Sequence, residues 1–266
     1  MYRAKSIKYP LKFLQPAGTS RGVLHDKESW FVRLWDSEDP ETVGIGECSL
    51  IPGLSPDSHP GFEQQLKAVC KAVENVVPSY LSSFPAIRFG LETALRDLQQ
   101  GGKRLLYPSD FTTGATGIPI NGLIWMGNKR EMLSRIAEKL NQGFSVLKMK
   151  VGALSFDDEL EIIRALRKKH PPSNLELRLD ANGAWQPEEA INKLKQLSKY
   201  GIHSVEQPIA AGTPEEMARV CTNSPVPVAL DEELIGINNP EQQEQLLTTI
   251  KPHYIILKPS LLGGIS

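Results

Sequence analysis

Hydrophobic and polar positions alternate in two different rhythms along the chain. Up to about residue 50, "SIKYPLKFL", "SWFVRLWD" and "TVGIGECSL" alternate or cluster apolar and aromatic residues, as half-buried antiparallel strands do. The Gly/Pro/Ser-rich segments "QPAGTSRGVLHDKE" and "IPGLSPDSHPG" read as connecting loops. Helical spacing follows over about 61–77 and 85–100, where Ile87, Leu91, Ala94, Leu95 and Leu98 share a face before "QQGGK" ends it. From Ile118 the rhythm becomes strand, helix, strand, helix. The strands are "IPINGLI", "SVLKMKV", "LELRLDA", "IHSVEQP", "VPVALDE" and "YIILKPS". Helix starts are legible between them. Thr213, Pro214 and Glu216 form a capping-box pattern, Asn239 precedes Pro240, and Pro187 opens "PEEAINKLKQL". Such alternation predicts a parallel sheet covered by helices.

Spacing and parity refine that sheet. The last polar residues of successive strands are Asn121, Lys148 or Lys150, Asp180, Glu206, Asp231 and Lys258, at near-equal intervals from Lys150 onward. A regular repeat without a large insertion predicts a (β/α) barrel rather than a doubly wound sheet, and in a barrel the strands' C-terminal ends converge on one site. Side chains alternate between faces. One face carries Leu147, Met149, Val151, Leu175, Leu177, Leu179, Val226, Val228, Leu230, Ile255 and Leu257, the side expected under helices. The other carries Lys148, Lys150, Glu176, Arg178, Asp180, Ser204, Glu206, Asp231, Tyr254 and Lys258, and is predicted to line the barrel interior.

Composition narrows the function classes. With 266 residues, 40% hydrophobic, the chain can bury a substantial core. Thirty basic residues against 31 acidic ones, a formal net charge of -1, give no reason to expect nucleic acid or an anionic membrane as partner. No apolar run approaches the roughly 18 residues that span a bilayer, and "MYRAKSIKYPLKFL" lacks the apolar core of a signal peptide. Cys48, Cys70 and Cys221 are odd in number and scattered, so buried reduced thiols in a cytoplasmic protein are expected.

The polar face carries the chemistry. Asp180, Glu206 and Asp231 end three consecutive strands, and three converging carboxylates repel one another unless a cation sits among them. Oxygen ligands without His or Cys favour a hard ion, Mg²⁺ or Mn²⁺. Lys148 and Lys150 lie on one flank of the acids and Lys258 on the other. A lysine of ordinary pKa about 10.4 is a poor base near neutrality, but burial and a neighbouring ammonium both lower that value, and Lys148 is spaced to act so on Lys150. A metal between opposed lysines suits proton abstraction next to a substrate carboxylate, where the ion offsets the second negative charge of the enediolate. The expected partner is therefore a small-molecule carboxylate. The five histidines share no ligand spacing.

In order and spacing, "LKMKVG", "LRLDANGAW", "VEQP", "ALDEE" and "ILKPSLLGG" resemble the enolase superfamily, and the lysines on both sides resemble its muconate-lactonising subgroup. The resemblance implies an α/β enolase-like architecture: an N-terminal α+β capping domain over 1–110, then a modified TIM-type (β/α) barrel over 111–266. The family barrel continues through two more strand positions, so the barrel here is expected to be incomplete at its C-terminus, ending after the sixth strand with unpaired edges. The loop "GECSLIPGLSPD" and the compact "LKPSLLGGIS" are similar to the branch that dehydrates a succinyl-hydroxycyclohexadiene carboxylate to the aromatic o-succinylbenzoate of menaquinone biosynthesis. Carried across, Lys150 abstracts the α-proton, Asp180, Glu206 and Asp231 hold Mg²⁺, Lys258 stabilises the enediolate from the far side, and Lys148 tunes Lys150. Asn182 is a candidate for hydrogen-bonding a ligand or substrate, and Arg21 reads as a solvated loop charge. The same scaffold also admits an N-acylamino acid racemase, a dipeptide epimerase, or a homologue that binds ligand without turnover.

Overall fold

A computed structural model describes residues 1–19, 22–76 and 78–265. Arg21 lies outside the described residues. The N-terminal rhythm forms a three-stranded antiparallel sheet, β1 (Tyr2–Thr19), β2 (Gly22–Asp36) and β3 (Asp39–Ser49), in that order. Residues 15–19 and 22–28 of the segment expected to be a connecting loop are instead strand. Pairing runs Tyr2↔Asp36 through Lys12↔Asp26, shifts register, and resumes at Ala17↔Leu24 through Thr19↔Gly22. A bulge absorbs the irregularity that the Gly/Pro content signalled.

Helices α1 (Phe62–Lys71) and α2 (Pro85–Gln99) cover one face of this sheet. Trp30, Val32, Leu34, Phe62, Leu66 and Ile87 pack there as one buried cluster. The glycines of "GIGEC" let α2 approach closely. A Cβ on Gly46 would lie 1.8 Å from the Gly90 carbonyl oxygen, inside the wall of any atomic contact.

The second rhythm forms a parallel six-stranded sheet. In chain order it runs β4 (Gly122–Ile124), α3 (Lys129–Asn141), β5 (Val146–Lys150), α4 (Phe156–Lys169), β6 (Glu176–Asp180), α5 (Pro187–Leu197), β7 (Ser204–Glu206), α6 (Pro214–Asn223), β8 (Val228–Leu230), α7 (Pro240–Ile250), β9 (Tyr254–Ile255) and α8 (Pro259–Leu262). Strand order follows chain order from β4 to β9 with no reversal, which is the barrel arrangement and not the doubly wound one. Helix starts and ends follow the charge logic of the peptide dipole. In α4 the Ser155 hydroxyl accepts from the Asp158 N–H, acids fill the first turn, and Arg167, Lys168 and Lys169 fill the last.

Parity holds for most of the sheet. Leu147, Met149, Val151, Leu177, Leu179, Val228 and Leu230 are buried under the helices. It fails at β9, where Ile255 is 40% and Leu257 61% exposed. β9 is an edge strand paired only with β8, so nothing closes over that side of it among the described residues. Two smaller expectations also fail. Asn121 precedes β4 and stands at the opposite end of the sheet from the other strand-terminal polar residues. The Thr213 side chain caps nothing: its backbone, at φ -126 and ψ 71, is off the extended geometry with which Asn239, at φ -107 and ψ 121, accepts from the Glu241 and Gln242 N–H groups. Cys48, Cys70 and Cys221 are buried and free. Among the described residues no helix is long and apolar enough to cross a membrane.

Candidate active site

Register brings the sequence-predicted residues together. Lys150 pairs with Asp180 across β5 and β6, and Asp180 pairs with Glu206 across β6 and β7. Asp231 follows β8 directly and Lys258 follows β9. Lys150, Glu206, Asp231 and Lys258 line one cavity of about 370 Å³ together with Lys148 and Asn182, while Asp180 is buried behind Lys148 and Lys150.

Ion pairs knit the floor of this cavity. Lys148 Nζ lies 2.7 Å from Glu206 Oε1 and 2.9 Å from Asp180 Oδ2, and Lys150 Nζ lies 2.6 Å from the same Asp180 oxygen. Lys258 pairs with Asp231. Asp180, Glu206 and Asp231 are buried, while the lysines keep partial access to solvent. Burial alone raises a carboxyl pKa, yet Lys148 and Lys150 hold Asp180 below the ordinary carboxylate value. Glu206 goes the other way: burial and then the charge of Asp180, only partly offset by Lys148, push it up to about 8. Burial draws Lys148 down, but Asp180 and Glu206 outweigh it and leave its ammonium above the ordinary value.

Among the described residues no group of three His, Cys, Asp or Glu side chains stands at metal-holding spacing, and each of the three acids is paired with a lysine ammonium. By donor type the acids still fit a hard divalent ion. All are carboxylate oxygens, and Asp231 Oδ1 is buried with no hydrogen-bond partner, an acceptor position that lone Lys258 does not fill.

Asn182 sits at φ 46, the left-handed region that Asn tolerates better than most residues. Its N–H donates to Asp180 Oδ1 at 3.1 Å, and its side-chain oxygen accepts from Lys150 Nζ at 2.7 Å. The side chain therefore engages Lys150. Behind Lys150 the chain turns at Gly152, φ 92, where a Cβ would lie 2.5 Å from that of Ala184. Buried Glu159 accepts from the Gly152 N–H at 2.6 Å and so braces this turn.

The cavity's walls were not legible as site residues in the sequence. Phe13 and Leu24 from the β1–β2 hairpin, Leu54 from the loop after β3, and Leu123, Trp125 and Ile256 from the parallel sheet make it apolar above a charged floor. The hairpin and the barrel thus share one cavity, which hydrophobic periodicity within either segment does not reveal. Glu232, beside Asp231 in "ALDEE", accepts from the Asn182 side-chain amide at 3.4 Å and also lines the cavity.

A parallel sheet in chain order, with acids on three adjacent strand ends and lysines on both flanks, is matched by a family model. The model described as enolase C-terminal domain-like matches residues 131–266. The chain belongs to that family. It is 44% identical to the o-succinylbenzoate synthase of Desulfotalea psychrophila over 96% of this chain and 77% of that protein. The crystal structure of MenC from Desulfotalea psychrophila LSv54 superposes with a TM-score of 0.86 at 37% identity, covering 99% of this chain and 80% of that one. The o-succinylbenzoate synthase of Thermosynechococcus elongatus BP-1, solved with Mg in its active site, superposes with a TM-score of 0.77 at 25% identity, covering 97% and 77%.

Proposed function

We propose that this chain is an o-succinylbenzoate synthase, which removes water from a succinyl-hydroxycyclohexadiene carboxylate to give o-succinylbenzoate in menaquinone biosynthesis. One observation carries the reading: Lys150 and Lys258 enter a single cavity from opposite flanks of the buried acids at the ends of β6, β7 and β8. The similarity to o-succinylbenzoate synthases supports the choice of substrate. Residues 1–110 act as the capping domain and 111–266 as the barrel domain. The three free, buried cysteines accord with a cytoplasmic enzyme.

In this reading Asp180, Glu206 and Asp231 hold Mg²⁺, for which Mn²⁺ is the alternative. When bound, the ion supplies fixed positive charge beside the substrate carboxylate, where negative charge gathers as the α-proton leaves. Lys150 Nζ, freed of Asp180, accepts that proton, and Asn182 Oδ1 keeps the amine aimed. Lys148 remains paired with Glu206 and places a positive charge beside Lys150, favouring its neutral form. Lys258 holds the opposite face as a cation. The Lys150 ammonium returns its proton to the departing hydroxyl, which leaves as water, and the resulting aromaticity favours the elimination. The apolar wall surrounds the ring and excludes bulk water.

Incubating the protein with Mg²⁺ and the cyclohexadiene substrate is expected to yield aromatic product, followed by ultraviolet absorbance. Absence of product, together with exchange of an N-acylamino acid's α-proton in deuterated water, would replace this reading with a racemase. Lys150→Ala and Lys258→Ala are each expected to lower kcat by about a thousandfold or more, with circular dichroism unchanged. Near-normal turnover in Lys150→Ala would reassign the base.

A further inference from the structure

Gln207, the residue after Glu206, is almost wholly buried yet touches nothing in the cavity, and its backbone sits at φ 42. Every polar group it carries is used, and the partners come from three different strand ends. Its side-chain oxygen accepts from the Asp231 N–H at 3.1 Å and the Glu232 N–H at 3.2 Å. Its side-chain nitrogen donates to the Ile209 carbonyl at 3.0 Å and to Glu233 Oε1 at 3.2 Å. Its backbone N–H donates to the Ala229 carbonyl at 2.8 Å, and its own carbonyl accepts from the Gly183 N–H at 2.7 Å. Glu233, itself buried, also accepts from the Gly212 N–H at 3.2 Å, which carries the lattice into the loop after β7.

We propose that Gln207 is a positioning residue that fixes the Glu206 and Asp231 carboxylates relative to each other, and so sets the spacing at which they receive a divalent cation. The proposal rests on the reading of those acids as metal ligands. A glutamine left-handed at φ 42 is uncommon, since a side chain there crowds its own backbone. The six bonds hold it there, and the amide's polarity is dictated: two N–H donors face the oxygen, while a carbonyl and a carboxylate face the nitrogen. Groups that orient ligands from behind commonly change metal affinity by about 10–100-fold when lost.

Polarity exchange tests the proposal. Gln207→Glu retains the acceptor for Asp231 and Glu232 but opposes two carboxyl groups at Glu233. Adding Glu233→Gln restores a donor–acceptor pair there and keeps an acceptor for the Gly212 N–H, while the Ile209 carbonyl loses its donor in both variants. Mg²⁺ is titrated by calorimetry into the metal-free wild type, Gln207→Glu and the double exchange, with folding checked by circular dichroism. The expected result is affinity about tenfold or more weaker than wild type in Gln207→Glu and recovered by about threefold or more in the double exchange. kcat should follow the same order at subsaturating Mg²⁺, a recovery that simple loss of packing would not show. Wild-type affinity in Gln207→Glu overturns the proposal, as does a folded double exchange that binds no more tightly than Gln207→Glu. Should Gln207→Glu fail to fold, the double exchange alone decides, wild-type affinity overturning the proposal and weaker affinity supporting it, and its own failure to fold overturns the proposal by making Gln207 a folding residue. A wild type that binds no Mg²⁺ would instead remove the metal reading on which the inference stands.

Discussion

Asp97 on α2 and Asp180 at the end of β6 are equally cut off from solvent, yet their surroundings differ in kind. Asp97 Oδ2 accepts from the Ile45 N–H at 2.8 Å, its other oxygen accepts from the Arg104 N–H at 2.6 Å, and the Arg104 guanidinium closes over it. Two of those donors are backbone groups of the sheet and the turn it pins, and they cannot leave without unfolding something. Asp180 is faced mainly by Lys148 and Lys150, whose long side chains are about a fifth exposed and can swing into water. Burying a charge costs several kcal/mol unless it is paired, so both acids need their partners. What differs is whether the partner is exchangeable. A carboxylate pinned by backbone N–H groups is a structural joint, while one held by retractable ammoniums at a cavity is available to another cation.

The sharpest attempt to break this contrast is the Asp180→Asn exchange. It keeps the shape but removes the charge, so kcat/KM at fixed Mg²⁺ is expected to fall by about a thousandfold or more, equivalent to roughly 4 kcal/mol. Stability of the metal-free protein, measured by urea unfolding, should fall by no more than about 1 kcal/mol, because Lys148 keeps Glu206 and Lys150 keeps Asn182. Asp97→Ala should do the reverse. It leaves the Ile45 and Arg104 N–H groups without acceptors, costing about 3 kcal/mol in the same urea experiment, while kcat per folded molecule is unchanged. If Asp180→Asn lost as much metal-free stability as Asp97→Ala, exchangeability would not separate the two regions.

How much of this was legible depended on whether the deciding interaction is local. Lys148 and Lys150 were placed on the cavity face by strand parity alone, since a two-residue period survives any tertiary packing. Pairing of Lys150, Asp180 and Glu206 then followed from strand ends aligned by their apolar residues. Asn239 was readable as a cap because its partners lie two and three residues on. Thr213 matched the same pattern and still failed, because backbone angles at the helix entry, and not residue type, decide whether the hydroxyl reaches. The β1–β2 hairpin was misread at its glycines and prolines, because cross-strand pairing outweighs local turn preference. Ile255 and Leu257 follow the apolar alternation of the sequence but stay exposed at an edge, which no single strand's sequence specifies. Gln207 was overlooked for a related reason: its neighbour Glu206 carries the charge that chemistry looks for, and all of its partners but Ile209 lie more than 20 residues away.

The smallest expected effect sharpens the contrast from inside the N-terminal region. Asp57 is buried, its Oδ2 accepts from the Ala86 N–H at the start of α2 at 2.9 Å, and its Oδ1 has no partner. Burial pushes its pKa above the ordinary carboxylate value, with the Ala86 N–H only partly opposing the shift. An acid whose folded pKa is raised adds stability that is fully present below its unfolded value, near 3.8, and lost as pH rises from there through the folded value. Here the backbone donor needs an acceptor but not a charge. Asp57→Asn keeps that acceptor, so at neutral pH it should lie within about 1 kcal/mol of wild type. The stability of wild type minus that of Asp57→Asn should decline as pH rises from about 4. Urea unfolding of the two proteins at several pH values reads the difference directly. A loss of 3 kcal/mol at neutral pH, or a difference that grows with pH, would mean that Asp57 is held as an anion. The N-terminal region would then contain a second buried charge with a use for its ionised form.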